Sequence, residues 1–164
     1  MKFIEYSIQW AKGESFEGLC VTIAGGLTLI CSFLIWKYGT TLNAKALIIP
    51  TLVLGLFFSM IGSYMLYSNQ QRLTEFQVAY QADSEAFLQN EKKRVEDFQI
   101  MYLISLAISM VSFVQVILAF TFSKNPTFHA ITLVLSVFGL SLIILDYFSK
   151  ERSQIYYDHI LNHL

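Results

Sequence analysis

Two histidines four residues apart, His159 and His163, stand near the end of the chain. That spacing puts both on one helical face and is compatible with a divalent metal. The segment reads HILNH, however, so the glutamate of the HExxH metalloprotease pattern is missing, and Asp158 falls on a different face. Ser105, Ser109 and Ser112 recur at i, i+4, i+7 inside an apolar run, and Gln115 roughly continues the stripe. Such groups can line a narrow polar pathway or hydrogen-bond between helices. Asp146 is the sole carboxylate inside an apolar run. It stands four residues before Lys150, a spacing that suits an i,i+4 ion pair or an extension to the membrane surface; recognition of an ion or partner is the sharper reading. Cys20 and Cys31 share a helix face about 16 Å apart, too far to pair with each other. There is no GxSxG, no CxxC and no phosphate-binding glycine loop. The expectation is a chain with no catalytic group, no metal and no cofactor.

The elements that must position these groups are four apolar runs, at about 18–36, 46–67, 100–122 and 129–148. Each is close to the ~20 residues a helix needs to cross a bilayer core. Hydrophobic residues make up 55% of the 164-residue chain and charged residues 14%, against about 25% charged in a soluble domain. No charged residue falls between Lys45 and Arg72. A soluble protein of this size could bury one such helix, hardly four. The expected class is all-α: a polytopic membrane protein of four transmembrane helices in two hairpins, with the bilayer as solvent. The N-terminus lacks the small-residue cleavage site of a signal peptide, so the first span is expected to be retained. A net charge of −1 argues against nucleic acid as a partner.

Lys and Arg favour the cytoplasmic side of spanning helices. Of the 11 in the chain, Lys2, Lys12, Arg72, Lys92, Lys93, Arg94, Lys150 and Arg152 fall on one side. Lys37, Lys45 and Lys124 fall on the other. The expected topology has both termini and the 68–98 stretch in the cytoplasm, most naturally of a bacterium with this chain in its inner membrane. Gly39 is a helix stop, and Ser123-Lys124-Asn125-Pro126 reads as stop, N-cap and N1 proline. Pro50 is tolerated early in the second run or kinks it.

A shift of 81 residues lays Thr51-Leu52-Val53-Leu54 on Thr132-Leu133-Val134-Leu135, Phe57 on Phe138 and Ser68 on Ser149. The layout therefore divides into residues 1–99, a first hairpin with an amphipathic N-terminal segment and a cytoplasmic helix over 68–98, and residues 100–164, a second hairpin with a C-terminal helix over 149–164. The 68–98 stretch holds no glycine or proline and favours helix; it reaches about 45 Å as one helix, or folds into a bent pair. Leu73, Phe76, Tyr80 and Phe87 form an apolar stripe on it, interrupted at Asp83 and Asn90. That stripe packs inside the chain or docks a protein partner or a second copy. Lys92-Lys93-Arg94, flanked by Glu91, Glu96 and Asp97, is too short and too opposed for a lipid-binding polybasic switch.

Three functions follow as expectations. The first is a non-catalytic interaction protein binding through Leu73, Phe76, Tyr80 and Phe87 or within the membrane. A concrete version is a bacterial immunity protein, by analogy of size and architecture with the small polytopic proteins that neutralise membrane-active toxins. The second is a homo-oligomeric ion channel or small transporter lined by Ser105, Ser109, Ser112 and Gln115. The third, a lipid-modifying enzyme, has only Asp146 with the His159–His163 tail to offer, a poor constellation.

Overall fold

Residues 3–164 are described by a computed structural model in which nearly every residue is helical: α1 (Phe3–Tyr38), α2 (Leu42–Ala82), α3 (Ser84–Phe122) and α4 (Pro126–Leu161). Lys2, one of the basic residues counted above, lies outside the described residues. All four helices are long and apolar enough to cross a membrane. At 36 to 41 residues they measure about 54–62 Å, against a hydrocarbon core of about 30 Å. Each therefore crosses and continues well beyond the bilayer.

This continuity corrects the expected layout. The 68–98 stretch is not one long helix, and the terminal segments are not separate helices. Residues 68–82 finish α2 and residues 84–98 begin α3. Residues 3–17 are the start of α1, and 149–161 the end of α4. The turn is a single residue. Asp83 takes extended backbone angles (φ −156°, ψ 102°) and donates its N–H to Ala79 O at 3.1 Å, which ends α2. Its carboxylate accepts from the N–H groups of Glu85 and Ala86 at 3.1 and 2.9 Å, which starts α3. An aspartate cap satisfies the orphan amides of a new helix without glycine or proline. The reversal brings Phe76 and Phe87 edge to face, ring centroids 5.4 Å apart.

The opposite end closes with more familiar devices. A Cβ on Gly39 would run into Ile35 O, so the exit from α1 requires glycine. Thr41 Oγ1 caps α2 through Ala44 N, and Asn125 caps α4 through Thr127 N, with Pro126 in the first turn. His129 sits with Nε2 at 3.1 and 2.8 Å from the carbonyls of Ala119 and Ser123, at the C-terminal end of α3 where a donor is favoured. Pro50 is accommodated inside a continuous α2.

Buried positions recur every seven residues. In α1 they are Ser7, Ala11, Glu14, Gly18, Val21, Gly25 and Ser32; in α2, Gly55, Gly62, Asn69 and Phe76; in α4, Thr132, Gly139, Ser153 and Ile160. A seven-residue period is that of helices supercoiling left-handedly about one another. Small residues dominate it between α1 and α2, so those backbones approach closely. A Cβ on Gly25 would lie 2.9 Å from Ser59 Cα and closer still to its nitrogen, and one on Gly62 would lie 2.5 Å from Thr22 N. Ser32 Oγ adds a cross-helix hydrogen bond to Ile48 O at 2.9 Å.

α1 packs chiefly on α2, and α3 on α4; the two hairpins meet mainly through α2 and α4, which run parallel. Val21, Leu54 and Phe58 pack there on Val134, Phe138 and Leu145. Phe57 and Phe138, superposed by the 81-residue shift, touch with ring centroids 5.6 Å apart. Most span residues point outward: Leu27, Phe33, Val53, Met60, Met110, Ile117 and Leu140 are all exposed, as lipid-facing residues are.

Candidate functional site

Beyond the apolar runs, at the end carrying both termini, the four helices enclose a polar network stacked on an aromatic core. Its first layer joins α1 to α4. Gly13 has no side chain, and a Cβ there would lie 2.9 Å from Arg152 Cδ and Nε, so the arginine stem rests directly on α1. Arg152 then reaches Glu14 at 3.2 Å and Glu17 at 2.5 Å. Both carboxylates are buried, the arginine side chain about 30% exposed. Ser149 Oγ donates to Glu14 at 3.3 Å and lies 3.4 Å from the Tyr102 hydroxyl. Burial raises the Glu17 carboxyl above the usual range, with Arg152 opposing. Burial alone would lower Arg152, but its bonds to Glu17 and Glu14 and their fields raise it.

A second layer centres on Trp10. The Arg94 guanidinium lies 4.2 Å from its ring centroid, Arg72 about 6.0 Å away, and Tyr156 stacks on it at 5.5 Å and 17°. Arg94 forms an ion pair with buried Glu91. The Tyr156 hydroxyl lies 2.8 Å from Glu91 Oε2 and 2.8 Å from Ser7 Oγ. A phenol has one proton, which belongs on the carboxylate side, so Ser7 supplies the other hydrogen. Burial and then the Glu91 charge push the Tyr156 phenol far up, keeping it a protonated donor. Tyr156→Phe should leave Ser7 without its partner and Glu91 with Arg94 alone, and cost about 1–3 kcal/mol. Thermal unfolding in detergent micelles reads this directly, and an unchanged midpoint would show the two bonds to be energetically idle.

The third layer is apolar. Phe3, Ala11, Phe76, Phe87, Leu88, Val95, Tyr156 and Ile160 form its buried core, with Leu73 and Tyr80 packed against it. The expected partner-binding stripe therefore faces the chain's own interior: Phe76 is 6% exposed and Phe87 5%, while Leu73 and Tyr80 are half-buried. Phe3, Ile4 and Trp10 join the same cluster. His159 stacks on Tyr6 with centroids 3.7 Å apart, and His163 packs on Phe3. Among the described residues no group of three or more His, Cys, Asp or Glu side chains is placed to hold a metal.

Within the spans, the α3 stripe divides. Ser109 Oγ reaches Ser105 O and Gly139 O, each at 2.8 Å, and Ser112 Oγ donates to Ile108 O at 2.8 Å. Ser105 donates to Asp146. These four groups lie in the α3–α4 seam, whereas Gln115 is exposed on the outer surface. Asp146 is held by Ser105 rather than by Lys150, which is exposed. Cys20 and Cys31 are both free and exposed.

Sequence reasoning assigned no site role to Glu14, Glu17, Arg152, Trp10, Glu91 and Tyr156. One signal was present: Glu14 stands seven residues from Ser7 and from Val21, on the same face as the small residues Ala11, Gly18 and Gly25, and a carboxylate there needs a cation. Chemically, the network is self-neutralising. The cavity among Trp10, Arg94, Val95, Tyr102, Ser149 and Ser153 measures about 10 Å³, the size of one water. The arrangement holds four helix ends together, and a larger cleft of about 180 Å³ opens beside it among Tyr6, Gln9, Trp10, Arg152, Tyr156 and His159. No protein-family model, curated protein or solved structure matches the chain.

Proposed function

We propose that this multi-pass membrane protein is a non-catalytic recognition protein that presents its folded cap to a protein partner, with the cap and both termini on the cytoplasmic side of a bacterial inner membrane. The observation carrying this reading is the cap itself. Its aromatic and charged groups are spent on one another, which fixes the outer surface in place. That surface includes a polar row on α2, Gln70, Thr74, Gln77 and Gln81, all exposed, and the exposed Glu85, Gln89 and Lys93 of α3. Docking thus moves from the aromatic stripe to the polar outer faces of the same α2 and α3 ends. The side assignment rests on the excess of Lys and Arg at this end. Toxin neutralisation is one such role and rests on size and architecture alone.

Photo-crosslinking side chains placed singly at Gln77 and Gln81, with Leu34 and Ile143 as span controls, test this in native membranes. One discrete heterologous adduct from the cap positions is the expected result. Adducts from the span positions alone, or none with another protein, would sink the cap reading.

A homo-oligomeric channel or small transporter is the competing proposal. It is favoured by one observation: Gln115 faces outward, where a conduit between chains would run. Ion flux through liposomes that Gln115→Leu abolishes and Met110→Leu, at an exposed position of the same helix, leaves intact would support it; absence of flux from the wild-type protein excludes it.

A further inference from the structure

We propose that the outer face of α3 is a self-association surface, on which two copies of the chain pair in parallel with their Gln115 side chains hydrogen-bonded to each other. Gln115 lies seven residues, about 10 Å, before the end of α3 at Phe122, inside the third apolar run. Its carboxamide is exposed on a lipid-facing surface. The polar side chains around it are satisfied: Ser112 and Thr121 each donate to the carbonyl four residues earlier in their own helix, as do the half-buried Thr28 and Ser141 elsewhere in the spans. Gln115 has no such partner among the described residues. An amide left unpaired in hydrocarbon is costly, and a hydrogen bond from a neighbouring helix removes that cost.

The surface around Gln115 has the pattern of a helix seam. Ile104, Ile108, Val111, Leu118 and Phe122 flank it at alternating three- and four-residue steps and are 43–81% exposed. This stripe lies about a quarter turn from the one that α3 turns toward α4. It has the heptad spacing of a membrane coiled coil with one polar position. The occupant follows from symmetry. Every copy inserts with the same topology, so α3 meets α3 in parallel and Gln115 meets Gln115 at equal depth. A carboxamide carries both donors and an acceptor and is therefore complementary to itself about a two-fold axis. Any other helix would need a polar group placed at that same depth. The inference stands apart from the proposed cap function, since it concerns a different surface.

The test uses the full chain in lipid vesicles, in a Cys20→Ser, Cys31→Ser background. Single cysteines are introduced at Val111 and Leu118 on the stripe, and at Leu103 and Ile117 on another face of α3. Oxidation should give a crosslinked dimer from the first pair and not from the second. Without cysteines, Gln115→Leu should weaken dimerisation, read by energy transfer between labelled copies across a range of protein-to-lipid ratios, by roughly 3- to 30-fold. A chain monomeric at every ratio overturns the proposal. So do crosslinks confined to Leu103 and Ile117, or a dimer indifferent to Gln115→Leu.

Discussion

Gly25→Ala is expected to destabilise the protein sharply, while Gly26→Ala, one residue away, is expected to leave it as stable or slightly more so. The new methyl at Gly25 meets backbone atoms of Ser59, which no side-chain rotation can move aside. The α1–α2 seam must open to admit it. Opening also stretches the Ser32–Ile48 bond and the contact of Gly62 with Thr22. Overpacking of a close-packed seam costs about 1–3 kcal/mol, and a rigid backbone obstacle belongs at the top of that range. At Gly26 a Cβ meets nothing within 4 Å, so only the helix propensity changes, in alanine's favour by about 0.5–1 kcal/mol. The pair is its own control: composition, depth and helix are shared. Unfolding in mild detergent, followed by circular dichroism, should separate the two variants clearly. Equal midpoints would mean that α1 and α2 do not approach at Gly25.

Arg152→Met is the second large effect. Glu14 and Glu17 are both buried and share this one cation. Removing it leaves two carboxylates facing each other out of water, and breaking a buried pair costs about 3–5 kcal/mol. The triple variant Arg152→Met, Glu14→Gln, Glu17→Gln should recover most of the loss, because no charge is then stranded. The pH dependence has a definite sign. The Glu17 carboxyl titrates above its ordinary range in the folded chain because burial disfavours its charged form. A raised carboxyl binds its proton more tightly folded than unfolded. The stability this contributes is present at low pH and lost as pH rises through the folded value. Without Arg152 that upward shift grows, so Arg152→Met should be less damaging near pH 4 than near pH 8. A deficit that is constant with pH would show that the arginine acts through its packing alone.

The helices of the spans were legible from composition and turn chemistry. Four charge-poor runs cannot be folded any other way in a chain of 164 residues, and Gly39, Thr41 and the Asn125-Pro126 pair mark the ends of the loops that join them. The polar interval was misread for a physical reason. Its residues favour helix on both sides of Asp83, and aspartate within a helix-forming stretch is a weak local signal. The decision belongs to contacts far away: Phe76, Phe87, Phe3, Tyr156 and Ile160 bury one another only if the chain reverses at Asp83. The same reversal turned the expected docking stripe into core. The α3 stripe was legible as a spacing, but not as an orientation. Ser109 and Gln115 differ by six residues, and only the position of α4 makes one buried and the other exposed.

The amino-acid sequence by itself determined the solvent, the number of spans and the excess of positive charge at one end, because these depend on composition and local order along the chain. The tertiary structure decided which polar residues meet. Glu14 and Arg152 are 138 residues apart in the chain and 3.2 Å apart in space, and Ser7 and Tyr156 are 149 residues apart and 2.8 Å apart. Such pairs carry no local signature. They exist because helices crossing the bilayer four times return their distant ends to one place, where a buried charge must find its partner.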